Sequence, residues 1–458
     1  MERKNAVTSL IDGSLYSVMA GLTTPFWGAF AVNLGASDYL LGLLTSLPAL
    51  AGLLAQIPSA LLIDKFENRL KPTLVASIIH RTFFVAFAFL ALVPAPAEIK
   101  SWAFVLAFAL MNIPATMAGI AWTAMMGEMF TPELRGRIFG ERNMICTLVS
   151  LVSTMVAGVF LDLVAWPVNY AVLYLVSYGF LLGSWVYLRK LEERPLDPSE
   201  RKSAPSGLNA IRETLRDLRF VRFLLAVFVI HLGFHFPATL WTILWVKVMG
   251  LSNTWLGLFS VGSGVASFLA YKKWGYWSEK WGNPKVLVLT AGAHILFPVV
   301  YAHWRSPYVY LGLNVLAGFF GAGFALSLFN GLLDVSPGAT RPYYVSLFNV
   351  VVGLSSFVWP VAGVWFYKSF GLTPALDLSF AIRVVATAAA AGLLGLMPLG
   401  RQARCNGKDF LSRPGASVVS RLGRCWRSLC SLSWRRWAGW EGREACTPHN
   451  RPRLRRRL

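Results

Sequence analysis

Apolar segments about 20 residues long recur throughout this 458-residue chain. A transmembrane helix needs about 20 apolar residues to cross the hydrocarbon core of a bilayer. Hydrophobic residues make up 55% of the chain and charged residues 14%, too few charges for a water-exposed surface of this size. The sequence therefore predicts an all-α integral membrane protein with twelve transmembrane helices. The predicted spans lie at residues 12–33, 38–63, 72–93, 101–126, 137–162, 168–188, 220–246, 254–274, 285–304, 307–331, 343–367 and 373–399.

Lysine and arginine residues set the predicted orientation, because positively charged loops stay in the cytoplasm. With the N-terminus inside, the inside segments before residue 401 hold 22 of that region's 28 basic residues. Both termini are therefore predicted to be cytoplasmic, in a plasma (inner) membrane. The net charge of +21 is not a nucleic-acid signature, because residues 401–458 alone hold 15 basic residues against three acidic ones. We expect this tail to be disordered: either a cationic segment lying on anionic lipid or, the favoured interpretation, out-of-frame coding sequence.

The chain also repeats itself at an offset of 215 residues, where LGLLTSLPALAGLLAQIPSALLIDKFEN from Leu41 aligns with LGLFSVGSGVASFLAYKKWGYWSEKWGN from Leu256. A duplicated six-helix unit predicts two pseudo-symmetric bundles around a cavity at the membrane midplane, which is a transporter architecture. The predicted domains are an N-terminal bundle (1–190), a cytoplasmic linker (191–219), a C-terminal bundle (220–400) and the tail (401–458).

The loop that follows the second helix, and its repeat after the eighth, carry a family resemblance. The first copy holds Asp64 and Lys65, and the second holds Glu279 and Lys280 within a Gly-x-Trp-x-Glu-Lys-x-Gly-Asn pattern. Over residues 10–400 the sequence resembles a bacterial-type member of the major facilitator superfamily (MFS). The first loop lacks both glycines of the family pattern, whereas the second keeps them. The resemblance implies a secondary transporter built from two six-helix bundles.

The same resemblance implies a gate on the cytoplasmic face. In the family, the acidic residue of each loop is thought to pair with basic residues across the domain interface. By this resemblance, the gate residues of this chain are Asp64, Lys65, Glu279 and Lys280. Arginine is directional enough for such a latch. The candidate partners are Arg135, Arg137 and Arg142 after the fourth helix and Arg341 after the tenth.

Polar side chains inside the predicted spans are the candidates for substrate binding or ion coupling. A charge at the bilayer centre costs from about 2.5 kcal/mol upward, so Arg81 needs a partner, for structure or for substrate. His231 and His235 are four residues apart and share one helix face, which suits proton relay, a hydrogen bond to a polar substrate, or packing in the core. Asn112 and Asn314 lie on helices that line the cavity in the resembling family, where they would bind substrate or a neighbouring helix.

The coupling of transport to an energy source stays open at this stage. No GxxxxGK[ST] loop is present, so an ATP motor is not supported. Proton coupling usually involves a carboxylate, but the predicted helices contain almost none. Asp12 is expected instead to cap the start of the first helix. Histidine-based proton coupling, exchange and facilitated movement therefore all remain. Pro25, Pro48, Pro114 and Pro237 are expected to interrupt their helices as hinges.

These features predict a secondary active transporter of a small solute, working by alternating access and driven by an ion gradient. The alternative is a lipid flippase or membrane sensor on the same fold. An enzyme is not expected, because no HExxH or GxSxG constellation is present. No metal site or cofactor is expected. The expected partners are a small-molecule substrate, protons as one option for the coupling ion, and the lipid bilayer, with the protein acting as a monomer.

Overall fold

The computed structural model describes residues 2–63, 66, 68–130, 132–193, 208–336 and 341–395; within these ranges the side chains of residues 2, 124, 127–128, 132–137, 208–211 and 341–342 are left out of the description. The described part of the chain is helical and contains no strand. Its sixteen α-helices are α1 (Glu2–Thr23), α2 (Trp27–Asn33), α3 (Asp38–Ile63), α4 (Leu70–Leu92), α5 (Ala97–Met129), α6 (Pro132–Leu163), α7 (Val168–Leu188), α8 (Leu208–Arg216), α9 (Leu218–His235), α10 (Ala238–Thr242), α11 (Asn253–Trp281), α12 (Asn283–Ala293), α13 (Phe297–His303), α14 (Pro307–Val335), α15 (Arg341–Phe370) and α16 (Leu372–Gly395).

Twelve helical segments are long and apolar enough to cross a membrane, as the sequence predicts. The first, seventh and ninth are each assembled from shorter helices, namely α1 with α2, α9 with α10, and α12 with α13. Each remaining span is a single helix, and most predicted boundaries agree with the structure within a few residues. The eighth continues to Trp281, and the first departs most, since it begins at Arg3. Four polar residues of this early segment, Asn5, Thr8, Ser9 and Asp12, are buried against neighbouring helices, so low apolar content concealed its start.

Breaks in the helices follow only some of the prolines. A 3₁₀ turn at Thr24–Phe26 interrupts the first span at Pro25, and Pro237 separates α9 from α10. Pro48 and Pro114, however, lie inside the continuous helices α3 and α5, so the predicted interruptions there are wrong. A proline is tolerated inside a membrane helix because neighbouring helices, side chains and local backbone adjustments satisfy the backbone groups that it frees.

The two six-helix bundles meet along two seams. In one seam α3 of the first bundle packs on α15 of the second, and in the other α6 packs on α11. Small residues allow close approach: Gly158 lies against the backbone of Asn253, and Gly42 against Val364. Close packing of small residues is how membrane helices associate when lipid removes the hydrophobic driving force between them. The seams frame the region between the bundles in which a substrate site is expected.

Candidate functional site

Contacts between the bundles concentrate at the ends of the helices that the charge bias predicts to face outside, called the outer side below. The hydroxyl groups of Thr45 in α3 and Thr239 in α10 are 2.7 Å apart. Gly28 in α2 faces Thr242, whose side chain fills the space that a Cβ at position 28 would need. These pairs join the first bundle to the second and close the space between the bundles on the outer side.

An ion-paired carboxylate reinforces this closure. Asp38, the first residue of α3, accepts a hydrogen bond from Lys247 of the second bundle at 2.8 Å, and its other oxygen lies 2.6 Å from Lys368 Nζ at the end of α15. Lys247 also donates to the Ala36 carbonyl oxygen at 2.8 Å. The Asp38 side chain is only 9% exposed. One carboxylate of the first bundle therefore holds two spans of the second.

A second carboxylate joins the other seam. Asp162, near the end of α6, accepts hydrogen bonds from the backbone N–H groups of Asn253 and Thr254, each at 2.8 Å, and from their side chains at 3.0 and 2.6 Å. Asn253 and Thr254 form the first turn of α11, so Asp162 satisfies the free N–H groups at the start of a helix in the opposite bundle. Tyr170 donates to Asn253 Oδ1 at 2.9 Å from the same side.

At the inner ends of the helices, the described polar contacts stay within a bundle or join it to the segment between the two bundles. Lys4 forms an ion pair with the exposed Glu192. The hydrogen bond from Lys4 and the positive charge of Lys4 hold the pKa of the Glu192 carboxyl below its usual range. Asn283 donates to Asp334 at 2.7 Å inside the second bundle, and Tyr344 donates to Asp217 at 3.0 Å. No described inner-end contact resembles the two carboxylate bridges of the outer side.

The predicted inner gate is described only in part. Glu279 and Lys280 are exposed at the inner end of α11. Asp64 and Lys65, and the side chains of Arg135, Arg137 and Arg341, lie outside the described residues, so pairing between these groups stays a prediction. Arg142, the remaining candidate, donates to the carbonyl and hydroxyl oxygens of Ser9, each at 3.1 Å, which places it within the first bundle.

His235 lies just below the outer closure, one helical turn before Thr239. Its Nδ1 is 3.2 Å from the Ser355 hydroxyl of α15, and its Nε2 is 3.2 Å from the Ser356 hydroxyl. The His231 ring lies 5.2 Å from the His235 ring, and His231 Nδ1 donates to the Val227 carbonyl oxygen at 2.8 Å. The sequence prediction that both imidazoles share one face is confirmed, although His231 is committed to its own helix.

An indole group lies one turn further along α15. Trp359 follows Ser355 by four residues on α15, and its ring centroid lies 6.3 Å from that of Phe228 in α9. Trp359 Nε1 is buried and has no hydrogen-bond partner among the described residues. A buried donor without a partner is rare and calls for an explanation such as a ligand. We call His235, Ser355, Ser356 and Trp359 the His–Ser–Trp cluster.

Comparison with known proteins places this architecture in a family. The sequence profile of the Major Facilitator Superfamily matches residues 13–273. The chain belongs to the major facilitator superfamily. No curated protein matches it by sequence. Its fold is similar to that of a mutant form of the nucleoside transporter NupG, with a TM-score of 0.68 and 12% identity over 85% of this chain and 99% of that one.

Two further MFS structures share the fold. A bacterial homologue of the human lysosomal transporter Spinster, in an inward-facing and unoccupied conformation, has a TM-score of 0.64 at 14% identity, covering 86% of this chain and 97% of that one. A D-xylose–proton symporter has a TM-score of 0.62 at 15% identity, covering 87% of this chain and 97% of that one. Identities this low establish the fold and leave the substrate open.

Within this MFS fold, Arg81 proves to be the centre of a buried network. It is 3% exposed in α4. Its Nε donates to the Leu181 carbonyl oxygen at 2.9 Å, and its Nη2 donates to the Ser184 hydroxyl at 2.9 Å, both in α7. Ser184 in turn donates to Asp12 Oδ1 at 2.7 Å. The expectation that Asp12 caps the first helix is therefore wrong, because α1 begins at Glu2 and Asp12 lies three turns inside it.

Arg383 makes a related contact in the second bundle. It is buried in α16. Its guanidinium donates to the Gly233 carbonyl oxygen at 3.0 Å and to the His294 carbonyl oxygen at 2.6 Å. The guanidinium also lies over the Phe234 ring. These carbonyls belong to α9 and to the break between α12 and α13, where backbone groups lack helical partners. Arg383 therefore joins α16 to α9 and to the break between α12 and α13.

The two asparagine candidates bind neighbouring protein groups. Asn112 donates to the Phe108 carbonyl oxygen of its own helix at 2.8 Å. Asn314 donates to the Tyr301 hydroxyl and to the Tyr310 carbonyl oxygen, each at 2.9 Å. Asn314 therefore orients Tyr301, which packs on Trp241 with ring centroids 4.8 Å apart. Both asparagines therefore remain candidates for substrate binding only through the side-chain atoms that these hydrogen bonds do not use.

Proposed function

We propose that the protein is a secondary active transporter that carries a small, uncharged, hydrogen-bonding solute across the plasma (inner) membrane by alternating access, driven by an ion gradient. The observation that carries this proposal is the position of the His–Ser–Trp cluster directly beneath the outer closure. A solute bound at this level would be sealed from the outside by Thr45 and Thr239. A site between two bundles, closed on one side, is the arrangement that rocking of the bundles requires.

The chemistry of the cluster supports the substrate class. Its side chains offer hydroxyl, imidazole and indole groups, which donate and accept hydrogen bonds. Phe228 and Phe324 supply flat apolar faces next to it, the second with its ring 5.9 Å from that of His231. No lysine, arginine or carboxylate belongs to the described cluster, so it would select solutes by hydrogen bonds and stacking. Such sites reject analogues that leave buried polar groups unpaired.

The lipid flippase alternative finds less support in the described residues. A flippase needs a polar groove that opens sideways to lipid. The groove between α11 and α14, with a volume of about 540 Å³, is lined by apolar side chains apart from Lys273. We therefore place the solute path between the bundles, with both termini cytoplasmic and the monomer as the working unit.

The test is ligand-induced thermal stabilisation of the purified full chain, screened against sugars, nucleosides, amino acids, organic acids and lipids. We expect a hit among neutral polar solutes that His235→Gln and Ser355→Ala each weaken at least tenfold in apparent affinity. The matched control is His303→Gln, because His303 lies at the outer surface and pairs with Asp377 of its own bundle. Stabilisation by lipids alone, unchanged in all three variants, would favour the flippase or sensor.

A further inference from the structure

The apolar groove between α11 and α14 lies on the outside of the second bundle. Val265 and Leu269 of α11 and Leu316 of α14 line it, and all three side chains are exposed, Leu269 at 66%. The face of α11 that packs on the first bundle is a different one, since Gly264 lies against Leu151 of α6. Exposed apolar side chains of a membrane-spanning helix, turned away from such a seam, face lipid. The groove therefore opens to the bilayer.

The walls of the groove suit a hydrocarbon chain. The polar side chains beside it are already paired: the Ser267 hydroxyl donates to the Gly318 carbonyl oxygen at 2.8 Å, and Trp274 Nε1 donates to the Phe319 carbonyl oxygen at 2.7 Å. At Gly262 the two helices come close together, because a methyl group there would lie 3.1 Å from a side-chain carbon of α14. An occupant of this groove would therefore gain contacts from apolar atoms and no hydrogen bond from the walls.

A single charge lies at the other end of the groove. Lys273 is the one charged residue among the described side chains that line it. Its side chain is exposed, and no described carboxylate forms an ion pair with it. A lysine ammonium offers three hydrogen-bond donors and binds phosphate as a point charge. An apolar groove that ends at an ammonium group matches a molecule with a long hydrocarbon chain and an anionic head.

The depth of the groove in the membrane matches one lipid leaflet. From Asn253 at the outer start of α11 to Lys273 the helix rises about 30 Å, which is the thickness of the hydrocarbon core. Lys273 therefore lies at the level of the inner headgroups, and the stacked rings of Trp277 and Trp281 follow it, as aromatic residues do at interfaces. From Gly262 to Lys273 the rise is about 17 Å, close to the thickness of about 15 Å that one leaflet contributes to the core.

We propose that this groove is a binding site for an anionic phospholipid of the inner leaflet, with one acyl chain along α11 and α14 and the phosphate on Lys273. The site does not depend on the solute or on alternating access, so it stands or falls separately from the proposed function. Anionic lipids of the cytoplasmic leaflet attract lysine residues near the membrane surface. A zwitterionic lipid fits the same walls but gains less from Lys273, because its own cationic group offsets the phosphate.

Photolabelling by a phosphatidylglycerol that carries a diazirine in one acyl chain tests the proposal. The purified full chain is placed in phosphatidylcholine vesicles with a trace of this probe, illuminated, and the labelled residues are mapped by peptide mass spectrometry. We expect labels on Leu269 and Leu316, and we expect Lys273→Gln to reduce them about fivefold. The matched control is Lys272→Gln, because Lys272 is an exposed neighbour that does not line the groove, and it should leave labelling within twofold.

Three results would overturn the proposal. Equal losses in Lys273→Gln and Lys272→Gln would show general attraction to the membrane surface. Equal labelling of the groove by a diazirine phosphatidylcholine would show that it does not select an anionic lipid. Displacement of the probe by excess inorganic phosphate would assign Lys273 to a free anion.

A second variant tests the groove itself while Lys273 stays in place. Ala266 lines the groove, so Ala266→Phe fills it with a ring, and we expect labelling of Leu269 and Leu316 to fall at least fivefold. Unchanged labelling in a folded Ala266→Phe protein would show that the acyl chain lies elsewhere and would overturn the proposal. The lysine pair decides the question alone if Ala266→Phe does not fold.

Discussion

The outer closure makes a quantitative prediction for Asp38→Asn. The substitution keeps the shape of the side chain but removes the charge that holds Lys247 and Lys368, at 2.8 and 2.6 Å. Partly exposed ion pairs are worth about 0.2–1 kcal/mol each, and the low exposure of Asp38 favours the upper part of that range. The loss is therefore about 1–2 kcal/mol, which shifts the equilibrium toward the outward-open state by a factor of about 5–30.

The assay is alkylation of a single cysteine at position 239 by a membrane-impermeant reagent added from outside. The background has all five natural cysteines replaced by serine. Thr239 is buried in the closed outer side, so Thr239→Cys reacts only when the bundles separate there. Its alkylation rate is then proportional to the outward-open population, and Asp38→Asn should raise the rate about 5–30-fold.

The control is Asp377→Asn in the same background, because Asp377 pairs with His303 inside one bundle and has no hydrogen bond or ion pair with the described residues of the other bundle. We expect that control to leave the rate within twofold of the parent. Equal rates in Asp38→Asn and Asp377→Asn would refute the reasoning that the Asp38 bridge holds the outer side closed.

Three further predictions concern stability and the tail. Gly318→Ala should cost about 1–3 kcal/mol and lower the melting temperature, because the new methyl group meets a backbone carbonyl of the neighbouring α11, whereas Gly312→Ala, with open space around it, should not. Glu192→Gln removes the Lys4 contact; since the pKa of Glu192 is lowered by folding, any stability difference should exist at neutral pH and vanish as the pH falls below 4.5. Deleting residues 406–458 should leave the melting temperature and ligand binding unchanged; a large loss of either would show that the tail is a selected segment.

The sequence was sufficient for the parts of the fold that depend on local composition. Apolar length predicted the twelve spans, and the 215-residue repeat predicted two matching bundles. Apolar length did not predict where the first span begins. The early turns of α1 carry Asn5 and Asp12, which are polar although they are buried. The sequence therefore gave no sign that the first bundle contains a carboxylate deep in a span.

Contacts between distant residues could not be predicted. Asp38 and Lys247 are 209 positions apart, and nothing in either local segment indicates the other. Asp162 lies near the outer end of its helix, and nothing in its local sequence indicates that it satisfies the start of α11. Asn314 likewise suggested substrate because its partner, Tyr301, lies on another helix. Such pairings depend on how the bundles meet, which no local pattern encodes.

The most direct test of the account is a pair of distance measurements by electron spin resonance in the same membranes. One pair of labels sits on the outer ends of opposite bundles, at Glu98→Cys and Tyr308→Cys, and the other sits on the inner ends, at Arg189→Cys and Lys285→Cys. We predict that lowering the pH or adding a stabilising solute lengthens one distance as it shortens the other. Distances that stay fixed in both pairs under every condition would contradict alternating access.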